Sequence, residues 1–135
     1  MTTLDRAKRG KANRDKGARA ERAVGTWLRA HGWPHAERAI ATGHRSGERV
    51  RADHGDITGM PGIAVQVKDV ATLDEPAKLG AALTDTDCQR LAAKADYGLL
   101  VQRRRGVADV GCWWAWLRFD ADVGGGQRAG RALQQ

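Results

Sequence analysis

The residues best equipped for chemistry stand between positions 55 and 68 of the chain. Asp56 follows a glycine directly, and a short apolar run further on ends in Gln66-Val67-Lys68. Because alternate side chains of a strand share a face, Gln66 and Lys68 lie together, opposite Val67. A carboxylate, an amide oxygen and an ammonium aimed at one point suit a divalent metal and a water beside a phosphate. An ordinary half-exposed strand with solvent-facing polar residues explains this stretch equally well.

Bulk composition narrows the classes of function. A chain of 135 residues forms one domain with a real core. Its net charge of +7 favours a polyanionic partner, nucleic acid before a membrane surface. Two cysteines, Cys88 and Cys112, exclude a disulfide framework and a four-ligand zinc site, and we expect both to be reduced core residues.

No membrane or export segment is predicted. The N-terminus is charged where a signal peptide needs an apolar segment, and no apolar run reaches the length of a membrane span. We therefore expect a cytoplasmic protein, associated with the nucleoid or acting in the host cytoplasm if a phage encodes it.

The chain divides into three segments. Residues 1–16 are charged and almost devoid of apolar side chains, which predicts a basic arm that is disordered when free. Residues 17–120 form the folded domain, and residues 121–135 a flexible tail. The domain opens with a helix over residues 17–31, whose apolar stripe includes Val24 and Leu28, and Gly32 ends it. Glu21 borders that stripe and so lies at the edge of the core.

The remaining pattern predicts five strands and a second helix. Pro76 breaks the ambiguous residues 70–84, within which residues 77–83 are compatible with a helical turn or two. The Thr84–Asp87 stretch offers N-cap candidates for the helix. Residues 42–55 form a basic loop. The resulting order is helix, three strands, helix, two strands, which indicates an α/β fold with a mixed five-stranded sheet flanked by helices, and a right-handed crossover between the third and fourth strands. The strands are predicted at residues 35–41, 56–57, 63–68, 97–102 and 112–119, and the second helix at residues 87–95.

Four short motifs carry a resemblance to a known family. They are Lys16-Gly17-Ala18-Arg19-Ala20-Glu21-Arg22, Ala41-Thr42-Gly43, Gly55-Asp56-Ile57 and Gln66-Val67-Lys68. In this order they resemble the archaeal-type Holliday junction resolvases of the PD-(D/E)XK nuclease superfamily, over residues 16–118. The resemblance implies a restriction-endonuclease-like fold, Mg²⁺-dependent hydrolysis of DNA phosphodiesters, a four-way junction as substrate and a two-fold homodimer.

The same resemblance implies roles for five residues. Asp56 matches the central metal-binding aspartate, and Glu21 matches the helix glutamate that completes the metal site. Lys68 matches the lysine that positions or polarises the attacking water. Thr42 stands where the family has a serine near the scissile phosphate, and Arg38 resembles an arginine near the junction backbone.

Gln66 departs from the family pattern, which has Asp or Glu at that place. Mg²⁺ needs only one or two carboxylates beside neutral oxygens. Asp56 and Glu21 supply those, with the Gln66 amide oxygen and the Val67 carbonyl as neutral ligands. The Gln-x-Lys variant also occurs in Mrr-like restriction nucleases, and it predicts weaker metal affinity or a preference for Mn²⁺. An engineered, inactive form is a further explanation of Gln66.

Basic residues around this site predict contacts with phosphates. These contacts would be insensitive to sequence and strongly dependent on salt. The run Arg103–Arg105 is an edge device for solubility or a second phosphate contact, which we favour. The predicted DNA-binding residues are Lys16, Arg19, Arg22, Arg38, Arg45, Arg49 and Arg51.

Histidines and tryptophans leave alternatives open. His44 and His54 lie in the basic loop, where solvated histidines are commoner than ligands, and His31 and His35 are expected to be structural. The last strand carries Trp113, Trp114 and Trp116, too many for one face of a small sheet. One of them is spare for a dimer contact, or all three belong to the core.

Two rival functions stand beside the resolvase. One is a restriction-type or repair endonuclease of the same fold that acts on other DNA. The other is a catalytically inactive DNA-binding protein in which Gln66 marks lost chemistry.

Overall fold

A mixed sheet of five strands, flanked by two helices, organises the described part of the chain. The computed structural model describes residues 2–39, 55–119 and 128–129. The predicted α/β class and mixed five-stranded sheet are therefore confirmed. The elements are α1 (Thr3–Ala30), β1 (Glu37–Arg38), β2 (Ile57–Thr58), β3 (Ile63–Lys68), α2 (Pro76–Ala92), β4 (Tyr97–Gln102), a 3₁₀ turn (Val110–Cys112), β5 (Trp114–Trp116), and a separate pair β6 (Arg118–Phe119) and β7 (Arg128–Ala129).

The strands of the main sheet lie in chain order, β1 to β5. β3 and β4 are parallel, with Ile63 opposite Tyr97 and Lys68 opposite Gln102, and every other neighbouring pair of this sheet is antiparallel. The helix α2 connects the parallel pair, as parallel strands require a crossover. The ends of β3 and β4 consequently meet at one edge of the sheet.

The basic arm predicted to be disordered is helical, because α1 begins at Thr3 and runs for 28 residues. Thr2 and Asp5 form a capping box: the Thr2 hydroxyl accepts from the Asp5 amide, and the Asp5 carboxylate accepts from the Thr2 amide. Residues 3–16 hold Ala, Lys and Arg, which favour helix, and no proline. These local terms outweigh the lack of apolar side chains. The other end lies close to the prediction, with Gly32 at φ +108° just past the cap.

The second helix begins eleven residues earlier than predicted, at Pro76. Pro76 was expected to break the segment, but it occupies the first turn, where a missing N–H costs nothing. The predicted cap stretch lies inside the helix. Thr84 donates its hydroxyl to the carbonyl of Gly80, one turn back, instead of capping an end.

β3 and β4 have the predicted bounds, and the outer strands do not. β1 covers two residues where residues 35–41 were expected, and β2 is shifted by one residue. The predicted strand 112–119 is divided into a 3₁₀ turn, β5 and β6. Within the predicted flexible tail, Arg128–Ala129 pairs with β6. Short edge pieces carry little apolar periodicity, so the pattern defines them poorly.

The core lies on both faces of β3 and β4. Val24 and Leu28 of α1 pack with Val65 and Val67, whereas the α2 face is built around Leu83. Both cysteines are exposed, so their assignment to the core is wrong. Cys88 lies on the exposed flank of a longer α2, and Cys112 in a turn outside the strand.

Each of the three clustered tryptophans has a partner within the chain. The Trp113 indole is buried and donates to the Val107 carbonyl at 2.7 Å, and that of Trp116 donates to the Gln102 side chain at 3.1 Å. Arg104 lies 4.8 Å from the Trp114 ring centroid, a cation–π distance. A tryptophan at a dimer contact therefore stays a prediction. Neither helix of the described residues has both the length and the apolar character needed to cross a bilayer.

Candidate active site

Four of the side chains predicted to take part in catalysis line one cavity of about 530 Å³ at the end of β3. They are Glu21 from α1, Asp56 from the start of β2, and Gln66 and Lys68 from β3. The chain brings them together from positions 47 residues apart. The remaining lining residues are Asn13, Lys16, Gly17, Val67, Asp69, Val70 and Gln89.

Asp56 is held against β3 by the approach of its neighbour Gly55 and by two hydrogen bonds to the backbone of β3, one through its amide and one through its carboxylate. Gly55 has a φ of +107°, and a Cβ there would lie 2.7 Å from the Val65 carbonyl oxygen, so a glycine is required for this approach. The Asp56 amide donates to that carbonyl at 2.7 Å. The Asp56 Oδ2 accepts the Val67 amide at 2.8 Å. The carboxylate is thereby fixed beside the end of the strand.

The register brings Gln66 and the backbone of Val67 opposite Asp56 across the β2–β3 pair. Ile57 pairs with Val65 in an antiparallel ladder, which sets Asp56 across from Gln66 on the same face. The Val67 carbonyl projects to the same strand edge as its amide, and that amide already binds Asp56. The predicted grouping of Asp56, Gln66 and the Val67 carbonyl is thus geometrically coherent.

Gln66 is a buried residue anchored to α2, so for this residue the reading as a solvent-facing strand position is wrong. It is 5% exposed, and its amide oxygen lies 2.7 Å from the Thr86 hydroxyl. That hydroxyl also lies 2.8 Å from the Ala82 carbonyl. One hydroxyl has one hydrogen to donate. In one arrangement the Thr86 hydroxyl donates to the Gln66 amide oxygen. In the other it donates to the Ala82 carbonyl and accepts from the Gln66 NH₂ group, and the Gln66 amide oxygen is then directed away from Thr86.

Lys68 lines two adjoining cavities. They are the cavity already described and one of about 480 Å³ along α2, with Asp85 and Cys88 on the far wall. Within the described ranges, Lys68 has no carboxylate at ion-pair distance. Its charge is consequently available to a water or a phosphate in the cleft.

Glu21 and Arg38, assigned to different roles in the sequence, bind each other. The Arg38 Nε donates to Glu21 Oε2 at 2.6 Å, and the two side chains are 39% and 19% exposed. The carboxylate is therefore charge-balanced in this structure. A cation entering the cavity would share Glu21 with the guanidinium or displace it.

Asp69 is a wall of the cavity that the sequence analysis missed. Its side chain is 4% exposed and accepts from Arg103 Nη1 at 2.9 Å, while Lys16 Nζ lies 3.6 Å from its second oxygen. Its position directly after Lys68 could have indicated it, because an acid at the end of a strand lies close to the last side chains of that strand.

Asn13 of α1 and Thr86 of α2 are further residues of the site that pattern reading missed, whereas Gln89 already fitted the order of the family's elements. Asn13, Gly17 and Glu21 recur every four residues and so share one face of α1, but the first of them fell in a segment predicted to be disordered. Thr86 was considered only as a cap. Gln89, 5% exposed, lines the cavities on both sides of Lys68.

Several predicted contacts lie outside the described residues. Thr42, Arg45, Arg49 and Arg51 belong to residues 40–54, as do His44 and His54. Among the described basic residues, Arg19 and Arg22 are exposed on α1, and Arg19 lines a neighbouring cavity. Outside the active site, His31 stacks on the Trp27 indole with ring centroids 3.9 Å apart and bonds the Trp27 carbonyl, a structural role.

Comparison of the chain with protein-family models, curated proteins and solved structures gave no significant match. What the cavity can do therefore follows from its own donors. Within the described part of the chain, no group of three His, Cys, Asp or Glu side chains is arranged around a common metal position. The candidate ligands are two carboxylates, one amide and one backbone carbonyl, all of them oxygens, which Mg²⁺ and Mn²⁺ prefer.

Proposed function

We propose that this protein is a metal-dependent endonuclease that cleaves four-way DNA junctions by phosphodiester hydrolysis, on a restriction-endonuclease-like fold. The observation that carries the proposal is the convergence of Glu21, Asp56, Gln66 and Lys68 on one cavity. Acids, an amide and a lysine that forms no ion pair with a described carboxylate suit, in one cleft, the hydrolysis of a phosphodiester. The net charge of +7 supports a nucleic-acid substrate.

Asp56 and Glu21, with the Gln66 amide oxygen and the Val67 carbonyl, would hold Mg²⁺ or Mn²⁺. When bound, such an ion lowers the pKa of a water and offsets charge that develops on the phosphate. The Val67 amide keeps the Asp56 carboxylate oriented through its 2.8 Å bond. Lys68 holds the attacking water and places a positive charge beside the phosphate.

Arg38 links substrate binding to this site. It balances the Glu21 charge while the cleft is empty of DNA. A phosphate that enters beside Arg38 offers the guanidinium a second anion, to which an arginine can donate in parallel. Glu21 then has an oxygen to give to a cation. Arg38 thus combines the predicted DNA contact with control over a predicted metal ligand.

Cleavage of a junction requires two symmetric cuts, so the proposed active form is a homodimer with one cleft in each subunit. The exposed cations of α1, including Arg19 and Arg22, would grip phosphates next to the cleft. Such contacts make binding fall steeply with salt.

The deciding experiment uses a labelled four-way junction incubated with Mg²⁺ or Mn²⁺. Wild-type protein should cut it, and Asp56→Asn should lose more than about 100-fold in rate, since it removes a metal ligand. The matched control is Asp74→Asn, an exposed carboxylate outside the cavity, which should cut like wild type. Equal cutting by Asp56→Asn and wild type would refute the site.

Two further arms separate the rival functions. A linear duplex of the same sequence should be cut much more slowly than the junction, and equal cutting of both would favour a restriction-type or repair endonuclease. Gln66→Glu should lower the Mg²⁺ concentration needed for half-maximal cutting, because it adds an anionic ligand. If wild type cuts nothing and Gln66→Glu cuts, the natural protein is the inactive DNA-binding form.

A further inference from the structure

The neighbouring cavity that Arg19 lines, the second cavity, has a volume of about 610 Å³ and lies between α1 and the segment that follows β4. It is distinct from the cavity along α2. Lys16 and Arg19 line it from the helix, and Arg103 with residues 106–108 from the other side. It shares Lys16 and Asp69 with the candidate active site. The two cavities are therefore neighbours along one groove, separated by these shared side chains.

A buried acid, Asp69, positions two of the basic side chains of this second cavity. Asp69 is 4% exposed, whereas its partners Lys16 and Arg103 are 32% and 38% exposed. Arg103 uses Nη1 for Asp69, out of five N–H donors, and the Lys16 ammonium, at 3.6 Å, keeps its three. Three cations against one acid leave these side chains with a net charge of +2 and with N–H donors beyond those that bind Asp69.

The neighbouring Arg104 shows the opposite arrangement. It lies over the Trp114 ring and donates to the Cys112 carbonyl at 3.0 Å, so it is engaged within its own loop. Arg104 therefore packs within its own loop, whereas the adjacent Arg103 is positioned at the second cavity by the buried Asp69 carboxylate.

We infer that the second cavity is a subsite for a backbone phosphate next to the scissile one, bound by Arg103, Lys16 and Arg19. Asp69 is a positioning residue that fixes two of those cations. The nature of the polymer rests on the proposed function. The scissile phosphate would lie beside Lys68, and the strand would pass Lys16 to place its next phosphate at Arg103. Two phosphate sites on this path would fix the orientation of the DNA strand in the cleft, which a single metal site would not.

The test measures binding of a labelled four-way junction by fluorescence anisotropy over a range of salt, with Ca²⁺ in place of Mg²⁺. Arg103→Gln and Lys16→Gln should each reduce the salt slope of log affinity, by about 0.9 for one lost phosphate contact. The matched control is Lys94→Gln, which removes one charge just before the N-terminal end of β4, at the far end of the sheet. It should leave the slope unchanged.

Arg103→Gln leaves a buried carboxylate with a weaker partner, so folding must be controlled. Asp69→Asn with Arg103→Gln removes both charges together, and this double variant should melt close to wild type and still bind with the reduced slope. If the double variant binds with the wild-type slope, the loss in Arg103→Gln was structural and the subsite is refuted.

A junction with a single uncharged methylphosphonate identifies the contact. At the phosphate adjacent to the cut, this replacement should weaken binding by wild type and have no further effect on Arg103→Gln. Equal weakening of both proteins at every position would overturn the subsite while leaving a cutting enzyme intact. A wild type that shows the predicted pattern in Ca²⁺ but cuts nothing in Mg²⁺ or Mn²⁺ would overturn the nuclease and leave the subsite.

Discussion

Two aspartates at the end of β3 line the same cavity in opposite surroundings. Asp56 accepts a backbone amide from Val67, a neutral partner that orients it. Asp69 lies between the cations of Lys16 and Arg103, which balance its charge. The amide orients the Asp56 carboxylate beside the end of the strand, whereas Asp69, between two cations, serves to position them. Presence in a cleft therefore does not make a carboxylate a metal ligand.

Replacing each aspartate by asparagine tests this contrast most directly. Asp56→Asn should reduce junction cleavage by more than about 100-fold and leave the melting temperature almost unchanged. Asp69→Asn should retain cleavage within about tenfold, because it acts only through Lys16 and Arg103. Comparable losses of activity in the two variants would abolish the distinction.

For the free energy of unfolding, we expect changes around Asp69 to matter more than the change at Asp56. Arg103→Gln leaves the Asp69 carboxylate buried beside one distant ammonium, and we expect it to lower the free energy of unfolding by about 1–3 kcal/mol. Asp69→Asn should cost less, because the cations that lose their partner are about one third exposed and can be hydrated. Urea unfolding of both variants measures the order, and a larger loss in Asp69→Asn would contradict it.

The Thr86 hydroxyl extends the comparison to the residue across from Asp56. Thr86→Val removes the bond that anchors Gln66, and we expect about tenfold weaker Mn²⁺ binding, as for other groups that orient a ligand. Thr84→Val is the control, since that hydroxyl, among the described residues, bonds its own helix through the Gly80 carbonyl. Calorimetry without DNA measures the metal affinity directly. Equal affinities in the two variants would show that Gln66 is held in place by packing alone.

A third acid, Asp5, is exposed, and we expect its protonation to have the smallest of these effects. Hydrogen bonds from the Thr2 hydroxyl and then the Thr2 amide lower the pKa of Asp5 below its ordinary value. Since the pKa is lower in the helix than in the coil, this contribution to helicity is present above the ordinary pKa and is lost as pH falls through the lowered one. Far-UV circular dichroism should show about one turn lost in acid, and Thr2→Ala should remove that step.

Sequence reasoning succeeded where local pattern and burial coincide. β3 and β4 alternate or run apolar over six residues, and their bounds were predicted correctly. The extension of both helices was missed, because a capping box at Thr2 and a proline at Pro76 act through backbone geometry that hydrophobicity does not register. The Glu21–Arg38 and Asp69–Arg103 pairs join residues 17 and 34 positions apart, which no local pattern specifies.

The length of α1 has a practical consequence. Its 28 residues extend for about 42 Å, roughly twice the length of β3, and its buried residues begin only at Ala20. The part ahead of Asn13, which is the first residue of α1 to line the candidate active site, is a charged rod attached at one end. The exposed side chains of that part can therefore be exchanged or labelled with little disturbance to folding. A fluorophore at Lys8 would travel with the rod, and energy transfer to a dye on bound DNA would show which arm of a junction it lies along.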